Sequence, residues 1–293
     1  MKQTNKLKMI AAMAISVLSF TITGCSSDDF FGLEEMDDTS LGQNDILNPR
    51  EQTSIASSQE YVNYITAFYE FLNEALDIDT TKMDILTIMK GKPVYYKINS
   101  ISFSFVSSKM KELNKAYPKF FTYDYSQQKY IEDLSLSQDK TLGNLASKVR
   151  QMPKRTKGIN PEDAFSWCIS QGYPNPSPGV FKHNNKGLTM KLGTAAYCMD
   201  QAISHTVSNG VEFGGYSWYD GSGIWITDDN ATEHSMHFPH VYSTPYPQYD
   251  FHVHPNILCD KTPSDEDWDT WENSVISNHI IFDRNGQCVT YYW

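Results

Sequence analysis

The sequence predicts an α+β fold in which an α-rich first half precedes a helix followed by a β-meander. Apolar residues recur every three to four positions after Ser58, the spacing of an amphipathic helix. Short segments typical of strands dominate after Val211, and Asn285-Gly286 between the last two predicts a hairpin turn. Hydrophobic residues make up 40% of the 293-residue chain, which is enough for a sizeable buried core.

The charge balance excludes a general nucleic-acid binder. The chain carries 24 Lys and Arg against 35 Asp and Glu, a formal charge of −11. Binding to nucleic-acid phosphates instead requires a basic surface that displaces counterions. No apolar run of about 18 residues follows residue 25, so we expect no membrane span in the processed chain.

Residues 1–24 have the three-part pattern of a secretory signal peptide. Three lysines precede an apolar stretch over residues 9–20, and small residues then lead to Cys25. This end resembles the lipobox of bacterial lipoproteins, in which the cysteine becomes the lipidated first residue. An ordinary signal peptide or an N-terminal anchor is the alternative. Processing leaves 21 Lys and Arg against 35 Asp and Glu, a charge of −14.

The residues after Cys25 predict an exposed location and a flexible connection. Ser26-Ser27-Asp28-Asp29 resembles the acidic export tag of surface lipoproteins in some two-membrane bacteria. We therefore expect a lipid anchor at Cys25 in the outer membrane, with the protein on the cell surface rather than the periplasmic face. Residues 25–57 are polar and show no periodicity, which predicts a flexible tether.

Residues 58–151 predict an α-rich region of unknown role. Its first helix begins at Ser58 and places apolar residues on one face: Val62, Ile65, Tyr69, Leu72 and Leu76. Alternation predicts a strand over 94–105, and further helices are expected near 106–116 and 139–151. We find no catalytic residue set in this region.

A Pro- and Gly-rich connection over residues 152–192 separates the two halves, with at most a short helix near 161–170. Residues 193–293 then predict a helix over 194–205 followed by strands. The strands are expected over residues 211–219, 223–227, 249–254, 275–282 and 288–292.

The segment Phe251-His252-Val253-His254-Pro255 carries the clearest functional signal. Residues i and i+2 of a strand share a face, so His252 and His254 should point together while Phe251 and Val253 face the core. Two imidazoles on one rigid strand form half of a zinc site. Roughly 0.2 such pairs arise by chance in a chain with this histidine content, so further ligands are required.

The segment Pro263-Ser264-Asp265-Glu266-Asp267 predicts the start of a helix, with Ser264 as N-cap. A first-turn Asp is held rigidly enough to bind a metal. His252, His254 and Asp267 then supply two nitrogens and one carboxylate. Three protein ligands with one open position are typical of catalytic zinc, whereas structural sites usually have four.

Together these residues resemble the JAMM motif of the MPN/JAB-like metallopeptidases, which combines an upstream Glu with HxHP and SxxD. The upstream Glu corresponds to Glu212, which follows the predicted 194–205 helix. The resemblance covers about residues 190–293 and is strongest to a JAB-like branch of bacterial secreted and toxin-associated proteins. Nine residues separate His254 from Ser264 where the common pattern has seven, and two added loop residues cost little closure entropy.

The resemblance implies a JAB/MPN-like domain over 193–293 that acts as a zinc-dependent peptidase or isopeptidase. His252, His254 and Asp267 would bind Zn²⁺, and Glu212 would be the general base for a water molecule. Ser264 would donate a hydrogen bond to the oxyanion, although helix capping alone would also explain this residue. The substrate would be a peptide or protein of unknown identity. A non-catalytic, surface-displayed binding module with the same fold is the alternative.

A second group of possible ligands consists of Glu233, His234, His237 and His240. Their neighbours predict an irregular loop near the mouth of the site, with a second metal as the alternative. Four cysteines remain besides Cys25, at positions 168, 198, 259 and 288, and none has the CxxC spacing of a metal site. Their pairing is left open, because four cysteines allow three connectivities and free thiols are equally compatible.

Overall fold

The computed structural model of this protein describes residues 47–151, 180–183, 187–236, 247–255, 263–264, 267–268, 271 and 276–293. The predicted signal peptide, Cys25 and most of the predicted tether lie outside these residues, as does the helix expected near 161–170. Among the described helices, none combines the length and apolarity that crossing a membrane requires.

The predicted α+β class is confirmed. The described helices are α1 (Pro49–Ala56), α2 (Gln59–Ala75), α3 (Phe103–Ala116), α4 (Tyr125–Gln138), α5 (Lys140–Arg150) and α6 (Ala195–Asn209). The described strands are β1 (Asp84–Met89), β2 (Lys92–Ile98), β3 (Val180–His183), β4 (Leu188–Thr194), β5 (Phe213–Ser217), β6 (Ser222–Asp228), β7 (Tyr249–His254), β8 (Asn278–Asp283) and β9 (Cys288–Tyr292). They form one sheet in the order β1-β2-β9-β8-β7-β5-β6-β4-β3.

The predicted β-meander is wrong, because the strands do not follow one another across the sheet. β7 pairs antiparallel with β5 and parallel with β8, and so joins the β5–β6 and β8–β9 hairpins. A parallel neighbour requires a long crossover, which the segment between β7 and β8 supplies. This order places β7 fifth among the nine described strands, at the centre of the sheet.

Two further predictions need correction, and one helix was missed. The strand expected over 94–105 ends at Ile98, and α3 begins at Phe103 because the Ser102 side chain caps it by accepting a hydrogen bond from Ser104 N–H. Helix α4 was not predicted, since its buried face contains polar residues and therefore lacks an apolar period. The predicted connection over 152–192 contains β3 and most of β4.

The predicted tether ends before residue 57, because α1 lies within it. Asn48 caps this helix through a capping box: its side chain accepts from Glu51 N–H, and the Glu51 carboxylate accepts from Asn48 N–H. Pro49 occupies the first helical position, where its missing N–H costs nothing. These signals were present in the sequence, but the helix has only eight residues and few apolar ones.

Helices from both halves pack against one face of the sheet. Phe71 on α2 contacts Phe103 on α3 and Phe282 on β8, with ring centroids 5.2 and 6.0 Å apart. The same hydrophobic cluster includes Phe251 and Val253 of β7. Residues 58–151 and 193–293 therefore contribute to one core, and β2 joins them within one sheet by pairing with β9.

A buried carboxylate lies between α3 and α6. Asp200 on α6 is only 3% exposed and accepts a 2.5 Å hydrogen bond from Ser107 Oγ on α3. Burial raises the pKa of this carboxyl from 3.8 to about 6, while Ser107 and Lys111 act in the opposite direction. The native state therefore binds this proton more tightly than the unfolded chain does.

In the wild type we expect the free energy of unfolding to decrease as the pH rises, because Asp200 must lose its proton. We expect Asp200→Asn to abolish this decrease. The folded pKa lies above the unfolded one, so the free energy of unfolding falls between about pH 4 and about pH 6 and stays low above it. Urea denaturation should show the variant gaining about 2 kcal/mol relative to wild type between pH 4.5 and pH 7.5. Parallel stability profiles for the two proteins would contradict this expectation.

Candidate metal centre

Strand β7 presents its two histidines on the side opposite the helices. Phe251 and Val253 belong to the helix-side core, so His252 and His254 point to the other face, as strand alternation predicts. Both histidines are buried, and their Nε2 atoms are 3.0 Å apart. The centre therefore starts from two imidazole nitrogens fixed by one rigid strand.

Asp267 reaches these histidines from the crossover between β7 and β8. Its Oδ1 lies 3.3 Å from His252 Nε2, and its Oδ2 lies 3.7 Å from His254 Nε2. Among the described residues, His252, His254 and Asp267 form the group whose ligand atoms are close enough to hold a metal. The structure thus brings together the three residues that the sequence predicts as metal ligands.

Ser264 holds the Asp267 carboxylate in place. The Ser264 N–H and Oγ–H both donate to Asp267 Oδ2, over 2.7 and 3.0 Å, and Asp267 N–H donates back to Ser264 Oγ over 3.2 Å. Trp268 N–H then donates to Ser264 O, which closes the first helical turn. This reciprocal cap is the one expected from the sequence, and it orients the carboxylate towards the histidines.

Glu212 lies across from His254 because of the strand register. Phe213 at the start of β5 is opposite Val253, so the preceding residue falls opposite His254. The Glu212 Oε1 atom is 3.7 Å from His254 Nε2, and the residue is 5% exposed. Glu212 and His254 are 42 residues apart in the chain, and the antiparallel pairing of β5 with β7 brings them together.

The close approach of β5 to its neighbours depends on a glycine. A Cβ atom on Gly215 would lie 1.9 Å from Ile224 O and 2.8 Å from Phe251 Cζ. Backbone cannot retreat from such a contact without moving a strand. The absence of a side chain at Gly215 therefore lets β5 pair closely with β6 and leaves room for the Phe251 ring of β7.

The two carboxylates give the centre a strong preference for positive charge. Burial lowers the pKa of His252, but Asp267 and Glu212 outweigh burial and raise it to about 9. Burial also raises the pKa of the Asp267 carboxyl, but the charge of His252 and hydrogen bonds from both imidazoles hold it well below its usual range. A cation, either a proton or a metal ion, is stabilised at this position.

A second buried pair next to the candidate ligands was not predicted. His279 Nδ1 on β8 lies 2.8 and 2.9 Å from the two carboxylate oxygens of Asp250 on β7, and the ring of Trp271 stacks on His279 at 4.2 Å. Trp271 follows Asp267 by four residues, so the stack packs the Asp267 helix against the sheet. Asp250 shares the face of His252 by alternation, but its contact with His279 depends on the parallel pairing of β7 with β8.

The second group of possible ligands lies partly outside the described residues. His234 Nε2 is 3.2 Å from Glu233 Oε1, and both side chains are more than half exposed. His237 and His240 are not among the described residues, nor are Cys168 and Cys259. Cys198 and Cys288 are both buried, and the Asn99 side-chain amide donates to Cys288 Sγ over 2.9 Å.

The donor set of the centre could hold a metal ion. Zinc prefers tetrahedral nitrogen and oxygen ligands at about 2.0–2.2 Å, so pairs of its ligand atoms lie about 3.3 Å apart. Here the two Nε2 atoms are 3.0 Å apart, His252 Nε2 lies 3.3 Å from Asp267 Oδ1, and His254 Nε2 lies 3.7 Å from the other carboxylate oxygen, Oδ2. The Nδ1 atom of His254 is buried and has no hydrogen-bond partner among the described residues, and a proton on Nδ1 would leave the lone pair of Nε2 available for a metal.

Comparison of the chain with protein-family models, with curated proteins and with solved structures found no match. The likeness to JAMM metallopeptidases therefore consists of the motif residues and their order in the chain. The geometry of His252, His254, Asp267 and Glu212 is the independent starting point for a proposal about function.

Proposed function

We propose that this protein is a zinc-dependent hydrolase that cleaves a peptide or isopeptide bond. The observation that carries the proposal is the convergence of His252, His254 and Asp267 at 3.0–3.7 Å, with the Glu212 carboxylate 3.7 Å from His254. Two nitrogens, one carboxylate and a neighbouring buried Glu make up the residue set of a catalytic zinc site. We further propose that the chain is lipid-anchored at Cys25 on the outer surface of the outer membrane.

His252 and His254 would hold the metal through Nε2, and Asp267 through its carboxylate. Zinc, when bound, acidifies water from a pKa of about 15.7 to about 7 and polarises a carbonyl group. The strand and the reciprocal helix cap fix these three ligands before any metal arrives. A preformed set of ligands of this kind needs little reorganisation on binding.

Glu212 would move the proton that hydrolysis requires. Its carboxylate would accept a proton from the attacking water and transfer it to the nitrogen of the leaving amine. Water then contributes a hydroxyl to the new carboxyl group, and the amine leaves with the proton, so the exchange balances. Such general acid–base catalysis contributes about 10²–10⁴-fold to a rate.

Ser264 acts first as a positioning residue in this proposal. Its hydroxyl donates to Asp267 Oδ2 and keeps that carboxylate turned towards the histidines. The oxyanion role that the JAMM resemblance implies requires the hydroxyl to turn away from Asp267 when substrate binds. A Ser264→Ala variant would affect both metal binding and turnover, so it cannot separate the two roles.

We expect the processed chain, residues 25–293 with Cys25→Ser, to contain about one zinc ion and His252→Ala to contain almost none. Loss of one of three protein ligands should weaken zinc binding at least about 100-fold, since even outer contacts of a metal site contribute 10–100-fold. Elemental mass spectrometry and chelator competition would measure stoichiometry and affinity.

His234→Ala is the matched control for the zinc measurement, because His234 lies outside the centre and its side chain is 64% exposed. It should bind zinc as the wild type does. A wild-type chain that stays zinc-free after zinc is supplied would contradict the proposal and favour a non-catalytic binding module.

A further inference from the structure

The β1–β2 hairpin concentrates exposed aliphatic side chains at one end of the sheet. In the described part of the chain β1 is the terminal strand, and its residues are almost all exposed. The exposed fractions reach 58% for Ile85, 60% for Ile88 and 65% for Ile98. Leu86 is exposed as well, so four of the six large exposed hydrophobic residues in the described chain lie on this hairpin. Clusters of this kind usually mark an interaction surface.

The backbone of β1 is oriented to accept another strand. Lys90 and Gly91 have φ angles of 47° and 74°, which is the two-residue turn that closes a hairpin on the hydrogen-bonded pair Met89–Lys92. Alternation then makes Ile88, opposite Pro93, a non-hydrogen-bonded position. The N–H and C=O groups of Ile88 consequently point away from β2, towards the outer edge of the sheet.

The charges along the hairpin are those of a self-complementary edge. Lys90 and Lys92 make the turn end basic, whereas at the other end Asp77, Asp79 and Asp84 outnumber Lys82. Two copies that align antiparallel along β1 bring the basic end of each against the acidic start of the other. A bulge interrupts the ladder between Ile85 and Thr87, so the regular part of the edge centres near Ile88. A two-fold axis there extends Asp84 of each copy past the Met89 end of the other β1, towards its Lys90–Gly91 turn.

We propose that two copies of this chain associate by antiparallel pairing of their β1 strands. Ile88 of each copy lies at the centre, where its outward N–H and C=O groups pair with those of Ile88 in the second copy. The two-fold axis is perpendicular to the sheet, so both helical layers stay on one side and both candidate metal centres face the other. Nine strand spacings of about 4.8 Å would separate the two β7 strands by about 43 Å.

Sedimentation equilibrium of the processed chain tests the pairing. We expect a dimer for the wild type and a monomer for Ile88→Lys, because lysine on an edge strand disfavours strand addition. Phe105→Lys is the matched control, since Phe105 is 47% exposed on α3, away from the hairpin. The proposal requires a dimer at about 200 µM, so a wild type that is monomeric at this concentration would overturn it.

Exchanging charges at the two ends of the edge distinguishes specific strand pairing from non-specific hydrophobic association. Lys90→Glu with Lys92→Glu makes both ends of the edge acidic, and Asp79→Lys with Asp84→Lys makes both ends basic. Each double variant alone should dimerise at least about tenfold more weakly than the wild type, and an equimolar mixture should form a heterodimer. Absence of association in the mixture, with both variants folded by circular dichroism, would overturn the antiparallel arrangement.

Discussion

Glu212→Gln is expected to lower the rate of hydrolysis by about 10²–10⁴-fold while leaving zinc bound. The amide has nearly the same size as the carboxylate but cannot take a proton from water. Because Glu212 immediately precedes β5 and the new side chain has nearly the same shape, the change should leave the strands in place. Turnover would be measured on fluorogenic peptides and isopeptides that the wild type cleaves in a zinc-dependent manner.

Glu233→Gln provides the control for this measurement, because Glu233 is a 63% exposed side chain beside His234. Its rate should match that of the wild type. Full activity in Glu212→Gln would remove Glu212 from the mechanism. Loss of zinc from the same variant would instead mean that the carboxylate is a ligand, and the proposed division of roles would be wrong.

Arg150→Met is expected to destabilise the fold by about 3–5 kcal/mol, because it leaves a buried carboxylate without its positive partner. Arg150 Nη2 donates to Glu132 Oε1 over 2.6 Å and to Tyr69 Oη over 2.8 Å, and Glu132 is only 3% exposed. Burial raises the pKa of Glu132, and Arg150 counteracts this by stabilising its charged form. Denaturation with urea at pH 7 would measure the change.

Two comparisons make the Arg150 result specific. The double variant Arg150→Met, Glu132→Gln should regain part of the lost free energy of unfolding, because it no longer contains the Glu132 carboxylate that Arg150→Met leaves uncompensated. Lys82→Met should cost less than about 1 kcal/mol, since the Lys82 side chain is 67% exposed in its ion pairs with Asp77 and Asp79. Equal losses in Arg150→Met and Lys82→Met would contradict a role for burial.

The candidate ligands could be predicted because each depends on local spacing. His252 and His254 share a face through the two-residue period of a strand, and Asp267 is oriented by Ser264 three residues earlier. Glu212 differs, since its place depends on a pairing between residues far apart in the chain. The order of the motif residues points to Glu212, and the β5–β7 register explains why it lies beside His254.

The contribution of the first half to the sheet could not be predicted. Strand β1 is almost entirely exposed and so lacks the alternation of a half-buried strand. Pairing of β2 with β9 joins residues nearly 200 positions apart, such as Tyr96 and Tyr291. No local pattern specifies β9 as the partner of β2, because the two strands are far apart in the chain and their contact arises only in the folded protein.

The amino-acid sequence by itself determined the α+β class, the β7 alternation, the β8–β9 hairpin and the cap at Ser264, because each is set by neighbours within a few residues. The tertiary structure alone decided that β7 lies at the centre of the sheet and that Asp250 meets His279. It also decided that Glu212 and Asp267 converge on the same two imidazoles. Those contacts depend on strand order and on a crossover, which are selected by burial of the whole core rather than by any one segment.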